Sequence, residues 1–238
     1  MNSISIIVAT YNGAKKLPFL LDALMIQSIK HFEIIVVVDG STDDTLKVLG
    51  GYANRFNTFR ILSQENSGRS KARNRGVKDA SGELLIFYDD DMEPAPDSVD
   101  RHIQFHNQHN NVLLTGNQVE QVEQQKTDIQ NYKATLSHKW ISGYSQSLVS
   151  LTVDTIFFTA ANCSIPTKVF NVLEGFDERL TDAEDHDLAY RALQMGIAVY
   201  FDKENKAIHH DPITCASYIK RLREYQGAHS KLAALHPE

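Results

Sequence analysis

The sequence predicts an α/β protein built on an open, mostly parallel central sheet flanked by helices. Short β-branched runs alternate with helix-spaced apolar residues from Ile4 to Tyr88. That order, β-α-β-α-β-α-β, is what a parallel sheet with crossover helices requires. The runs are nearly continuous in Ile, Val and Leu, as strands buried on both faces are. Three of them end in polar sets, Thr10-Tyr11-Asn12, Asp39-Gly40-Ser41 and Asp89-Asp90-Asp91. Ligands of open sheets bind beyond the carboxyl ends of strands, so these sets are expected on one rim.

Residues 4–9 read as the first buried strand. Leu17, Leu20, Leu21, Leu24 and Met25 then recur at helical spacing within 16–29. A second strand is expected at 32–38, and Thr42 or Asp43 can cap the helix that carries Leu46, Val48, Leu49 and Tyr52. A short third strand at 59–62 precedes a helix at 69–78 that opens after Ser67-Gly68. A fourth strand, 83–88, runs straight into the three aspartates. Beyond the break at Pro94-Ala95-Pro96 the pattern is less regular. Helices are expected at 98–109, 127–142 and 184–195, and extended chain at 112–123, 157–165 and 197–201, with a turn at Gln124-Gln125-Lys126. The last helix, 218–235, is amphipathic, with Tyr218, Ile219, Leu222 and Tyr225 on one stripe.

Composition narrows the classes. Of 238 residues, 42% are hydrophobic and 23% charged, ordinary values for a folded chain with a sizeable core. A net charge of -6 argues against a nucleic-acid partner, which calls for a basic stripe. Two distant cysteines, Cys163 and Cys215, offer neither metal spacing nor a disulfide framework, so a reducing compartment is expected. The opening apolar run is too short for a signal segment, and no stretch reaches the ~20 apolar residues of a membrane span. The expectation is a cytoplasmic protein, with peripheral contact at the inner face of the membrane left open.

Several residues can carry chemistry. Asp89, Asp90 and Asp91 repel one another unless a cation joins them, and hard oxygen donors suit Mg2+ or Mn2+. A solvated acidic turn is the plain alternative. Asp39 reads either as a turn or cap residue or as an acceptor for a base N–H. Arg69, Lys71, Arg73 and Arg75 form either a solvated basic face or a diphosphate-facing helix start, with Arg69 and Lys71 nearest the rim. Glu184 and Asp185 suit a helix first turn on dipole grounds, or supply a general base. His209 and His210 are neighbours in extended chain, so at most one faces a shared site. Trp140 suits a core or a docking surface, and an aromatic also stacks on sugars.

In this order the pieces resemble glycosyltransferase family 2, the inverting enzymes of the GT-A fold, from Ser5 to about Gly227. Residues 6–12 look like the family's opening strand and nucleotide loop, which makes Thr10, Tyr11 and Asn12 donor-binding. Residues 33–45 resemble its second strand, where an Asp meets the base; here that is Asp39, alone where many members have two acidic residues. Asn66-Ser67-Gly68 through Arg69, Lys71, Ala72, Arg73, Asn74 and Gly76 resembles the diphosphate-side helix. Tyr88 to Asp91 matches the D-x-D position. The resemblance makes Asp91 the main metal ligand, Asp89 a ribose or metal contact, and Asp90 part of the donor site. Residues 160–164 and Gly175-Phe176-Asp177-Glu178, followed by Glu184-Asp185, are similar to its acceptor-side block. Asn162, Glu184 and Trp140 are then acceptor-side residues and Asp185 the catalytic base. His209 falls where many members place a metal-proximal histidine, with His210 the alternative. The whole chain, 1–238, is expected to be one GT-A domain, with a nucleotide-binding half at 1–97 and an acceptor-binding half at 98–238.

The function implied is metal-dependent single displacement. A nucleoside-diphosphate sugar, a UDP-sugar by preference, gives its sugar to a hydroxyl of a glycan or lipid-linked glycan. A sugar nucleotidyltransferase would share the sheet and the metal, but Thr10 to Lys16 offers only Gly13 for a phosphate loop. No G-x-G-x-x-G follows any strand, which disfavours a dehydrogenase. A catalytically inactive binding module on the same fold is the remaining alternative.

Overall fold

The computed structural model describes residues 3–120, 127–211 and 213–236. The expectations for 121–126 lie outside these residues. The first half follows the expected order: β1 (Ile4–Thr10), α1 (Leu17–Met25), β2 (Glu33–Asp39), α2 (Thr45–Tyr52), β3 (Thr58–Gln64), α3 (Arg69–Lys78) and β4 (Leu84–Tyr88). The second half adds β5 (Met92–Pro94), α4 (Ser98–Gln108), β6 (Leu113–Glu120), α5 (Asp128–Ser142), β7 (Leu148–Leu151), β8 (Asn162–Pro166), α6 (Thr167–Val172), α7 (Glu184–Gln194), β9 (Val199–His209) and α8 (Cys215–Leu235). One sheet takes strands from both halves, in the order β3-β2-β1-β4-β8-β6-β9-β5, with β7 also paired to β9.

Strand alternation explains the continuous apolar runs. Ile6, Val8, Ile34, Val36, Leu84 and Ile86 face one side, onto Leu17, Leu20, Leu21 and Leu24 of α1 and Leu49 of α2. Ile7, Ile35, Val37, Leu85 and Phe87 face the other, onto Ala72 and Val77 of α3. Gly76 lets α3 lie unusually close: a Cβ there would meet Ile7 Cγ2 at 2.6 Å. The start of α3 is held at the carboxyl end of β2 by Ser67 N and Gly68 N, which donate to Asp39.

β1, β2, β3 and β4 pair parallel, as expected. From β8 outward the sheet becomes mixed: β8 runs antiparallel to β4 and β6, while β6 and β9 are parallel. Three differences from the expected elements have local causes. Helix α1 stops at Met25, where the expectation ran to Ile29, because the Ser28 N–H donates to Pro96 O at 2.8 Å, and the Gln27 side-chain amide ties the same segments. That amide donates to Ala95 O at 2.8 Å and accepts from Val99 N at 3.0 Å. Strand β8 begins at Asn162, not 157, because the preceding amides are taken by side chains: Thr159 N by Thr115 Oγ1 and Ala160 N by Asp185. Strand β9 continues to His209 because a register shift after Gly116 accommodates the polar residues 203–205. On α8, only Ala228 is buried, and the stripe of Ile219, Leu222 and Tyr225 remains 46, 48 and 38% exposed.

Candidate active site

The carboxyl ends of β1, β2 and β4 open into one cavity of about 510 Å³. Thr10, Tyr11, Asp39, Arg69, Asp89, Asp90 and Asp91 all line it, so seven of the residues expected on the rim are brought together. A second cavity of about 400 Å³ adjoins it, sharing Arg69 and Thr181 and walled by α8 through Arg223 and Lys231.

The three aspartates are treated differently by their surroundings. Asp89 bonds the buried Arg73 guanidinium at 2.6 Å. Burial would raise the Asp89 carboxyl, but Arg73 and Arg69 outweigh it and hold it below its usual range. Asp90 turns inward, accepting from Thr10 Oγ1 at 2.5 Å and from Lys16 Nζ at 2.6 Å. Burial, opposed by Lys16, raises it to about 6. Gly13 makes room for this clamp, since a Cβ there would strike Thr10 Oγ1 and Asp90 Oδ2. Burial works against the Lys16 charge, yet Asp90 and then Asp91 and Asp89 raise its pKa. Asp91 Oδ1 faces His209 Nε2 at 3.6 Å.

The side chain of His209, not that of His210, faces Asp91. His210 points to the other side of β9, stacked on Phe19 with ring centroids 3.9 Å apart and bonded to Glu93 at 2.5 Å. Burial would depress the His209 imidazole, but bonds to Asp91 and Glu120 bring it to about 9.

Asp39 is nine-tenths buried and already busy. It accepts from Gln64 Nε2 and Ser67 N, both at 2.8 Å, and from Gly68 N at 2.9 Å, which fixes the loop that starts α3. Asp39 therefore shapes the cavity wall and also lines it.

Six expected site residues line neither cavity: Asn12, Lys71, Asn162, Glu184, Asp185 and His209. Lys71 is exposed and does not line the cavity. Two residues along a helix turn the side chain by roughly 200°, so the face of Arg69 is continued by Arg73, not Lys71. Arg73 lines the cavity beside Arg69. Asn12 has φ +50° and joins two loops: its side chain accepts from Thr42 N at 2.8 Å and its N–H donates to Ser41 Oγ. Asn162 is fully buried, bonding His102 Nε2 at 3.0 Å and Asn205 O at 2.9 Å beneath the site. Trp140 lies in α5, its side chain outside the described residues.

Asn162 belongs to a sealed polar network in which His102 and His106 both bond Ser164 Oγ at 2.8 Å. Burial lowers these imidazoles to about 4 and about 3. Both are expected to remain neutral at pH 5, well below the ~6.5 of an ordinary histidine, which ring-nitrogen NMR shifts would show. Titration of either above pH 5 would contradict the sealed network. By linkage these two groups make acidification below ~6.5 destabilising, because the unfolded chain takes protons that the folded chain refuses. Asp90 and Asp185, both raised, act in the opposite sense.

Glu184 and Asp185 open α7 after Ala183, which is held at φ +61°. Glu184 is buried and paired with Arg73. Arg73 thus ties the strand-end aspartate Asp89 to the residue beside Asp185. Asp185 accepts from Ala160 N at 3.2 Å and His186 N at 2.8 Å. Burial and then the adjacent Glu184 charge raise it, with Arg73 opposing, to about 7. A carboxylate poised there is matched to proton abstraction near neutral pH.

Sequence reasoning missed Lys16 and Glu120. Lys16 follows the Asn12-Gly13 turn and carried a local signal, its position at a helix start on the ligand rim. Glu120 carried none, because its role depends on the pairing of β6 with β9.

The cavity at the strand ends, lined by carboxylates and guanidinium groups, sits on the GT-A fold that the chain's structural neighbours share. Residues 5–173 match glycosyl transferase family 2, and the chain belongs to that family. A glycosyltransferase from Rickettsia typhi is 29% identical over 231 residues, covering 94% of this chain and 69% of that protein. S. aureus TarS, in its UDP complex, aligns with a TM-score of 0.69 at 22% identity, over 93% of this chain and 64% of that one. The mannosyltransferase PcManGT from Pyrobaculum calidifontis aligns at TM-score 0.75 and 20% identity, over 99% of this chain and 65% of that one. At these identities the two structures speak for the fold. This chain spans somewhat less than two thirds of each of them.

Proposed function

We propose that this glycosyltransferase transfers a hexose from a nucleoside-diphosphate sugar, a UDP-sugar by preference, with inversion, to a hydroxyl of a glycan or lipid-linked glycan. The observation that carries the proposal is the cavity itself. Asp91, Arg69 and Arg73 line it, with His209 beside Asp91, at the strand ends where open sheets take nucleotides. TarS is described with UDP and with UDP-GlcNAc, and PcManGT with GDP-Man and Mn2+.

The donor set fits Mn2+ or Mg2+. Among the described residues no group of three His, Cys, Asp or Glu forms a ready cage. Asp91 and His209 would supply two protein ligands and the donor's phosphates the rest, the usual arrangement for a cation that keeps water and phosphate oxygens. Asp89, held by Arg73, would instead meet the donor's ribose. A bound cation would supply positive charge to the diphosphate as it leaves. Arg69 and Arg73 add fixed positive charge to the same cavity, where preorganised electrostatics act on the developing charge. Asp185 takes the proton of the attacking hydroxyl, and one in-line attack inverts the anomeric carbon. The acceptor would enter by the cavity beside α8. No helix among the described residues is long and apolar enough to cross a membrane. A lipid-linked acceptor would be met by surface contact, for which the exposed stripe of α8 is suited.

The metal assignment is tested by calorimetric titration of UDP with Mn2+ and with EDTA. Binding is expected to weaken sharply in EDTA, because bare carboxylates repel phosphate. Equal affinity in both would overturn the assignment.

A further inference from the structure

We infer that Glu120 is a positioning residue that holds the His209 imidazole so that Nε2 is presented beside Asp91. The inference rests on the proposed metal site and adds to it a residue that never touches the cation.

Strand register creates the arrangement. The β6–β9 pairing sets Glu120 opposite His209, and the β5–β9 pairing sets Met92, next to Asp91, opposite the same histidine. His209 therefore stands between a carboxylate on each flank. Its Nδ1 lies 2.8 Å from Glu120 Oε1, and its Nε2 lies 3.6 Å from Asp91 Oδ1. Both side chains are nearly sealed, His209 at 9% and Glu120 at 6% exposure.

Two other groups approach Nδ1. The Gln118 amide nitrogen lies at 2.7 Å and Lys133 Nζ at 3.3 Å. An amide can turn its oxygen to the ring by a flip, and an ammonium only donates. Glu120 is the one carboxylate among these neighbours, so it is the group that takes the Nδ1–H bond with full charge. A ligating imidazole whose second N–H is given to a carboxylate is fixed in tautomer and orientation and made a better donor. Lys133 steadies the pair from α5, bonding Glu120 at 3.0 Å and Asp211 at 3.1 Å. Glu120 is thereby occupied on the ring nitrogen opposite Asp91 and acts through His209 alone.

The test is Mn2+ affinity in the presence of UDP, read by calorimetry and by water-proton relaxation, for four proteins. These are wild type, Glu120→Gln, His209→Ala and the double variant. Glu120→Gln is expected to weaken Mn2+ about 10- to 100-fold, the usual cost of losing such a support. In the His209→Ala background the same change is expected to add nothing, because the two residues act as one unit. UDP binding in EDTA is expected to be unchanged by Glu120→Gln. Wild-type Mn2+ affinity in Glu120→Gln would overturn the inference, as would an equal loss with and without His209. Absence of Mn2+ binding by the wild type would remove the metal site itself, and the inference with it. Should Glu120→Gln fail to fold, Glu120→Asp, which shortens the reach, is expected to give the same His209-dependent loss.

Discussion

Replacing Asp185 with Asn should lower turnover by about 10²- to 10⁴-fold, the usual worth of general-base help, while donor affinity stays near wild type. Asn keeps the size of the side chain at the start of α7 but cannot accept a proton. The wild-type rate should rise with pH through about 7, because burial and Glu184 hold the Asp185 carboxyl there and only its ionised form is a base. Steady-state kinetics and a pH profile of the two proteins read both effects. If Asp185 were only a first-turn carboxylate, its loss would cost about 0.3–1 kcal/mol of stability and leave turnover near normal. Near-normal turnover in a folded Asp185→Asn protein would therefore remove it from the chemistry.

Arg73→Met carries the largest expected effect on stability. Arg73 is 3% exposed and joins Asp89 and Glu184, with Asp185 close enough to add its own field. Removing one partner of a buried ion pair leaves charge without compensation, a loss of about 3–5 kcal/mol. Urea unfolding should show a correspondingly lower midpoint, and the surviving carboxylates should take up protons more readily than before. Lys71→Met, two residues away on the exposed face, is the matched control and should unfold like wild type. Equal midpoints for Arg73→Met and wild type would mean that the guanidinium does not bind the two halves of the site together.

Much of this architecture was legible from local pattern. Strands buried on both faces write themselves as unbroken apolar runs, and α3 begins where Ser67-Gly68 suggests and ends before Ala80-Ser81-Gly82. The three rim sets were legible too, because strand ends are local features. Which residue faces the cavity was harder. Choosing Arg73 over Lys71 needs only the helical turn angle, so that correction was within reach of the sequence. Choosing His209 over His210 was not, since the side of β9 that faces Asp91 depends on pairing across a register shift after Gly116. Asn162 gave no local sign of its partners, because His102 and Asn205 are distant in the chain and meet it only once β8 is in the sheet. Glu120 is hidden for the same reason. Non-local pairing decides these side chains, and local composition does not carry it.

On the proposed function, a nucleotide sugar assisted by a divalent cation reacts in the cavity at the ends of β1, β2 and β4. The most direct measurement is release of nucleoside diphosphate from a panel of sugar nucleotides, with Mn2+ and with EDTA, by wild type and by Asp91→Asn. One donor, a UDP-sugar first among them, should release its diphosphate in a reaction that needs Mn2+ and is lost in Asp91→Asn. Turnover that persists undiminished in EDTA and in Asp91→Asn, or release of pyrophosphate in place of the nucleoside diphosphate, would contradict it.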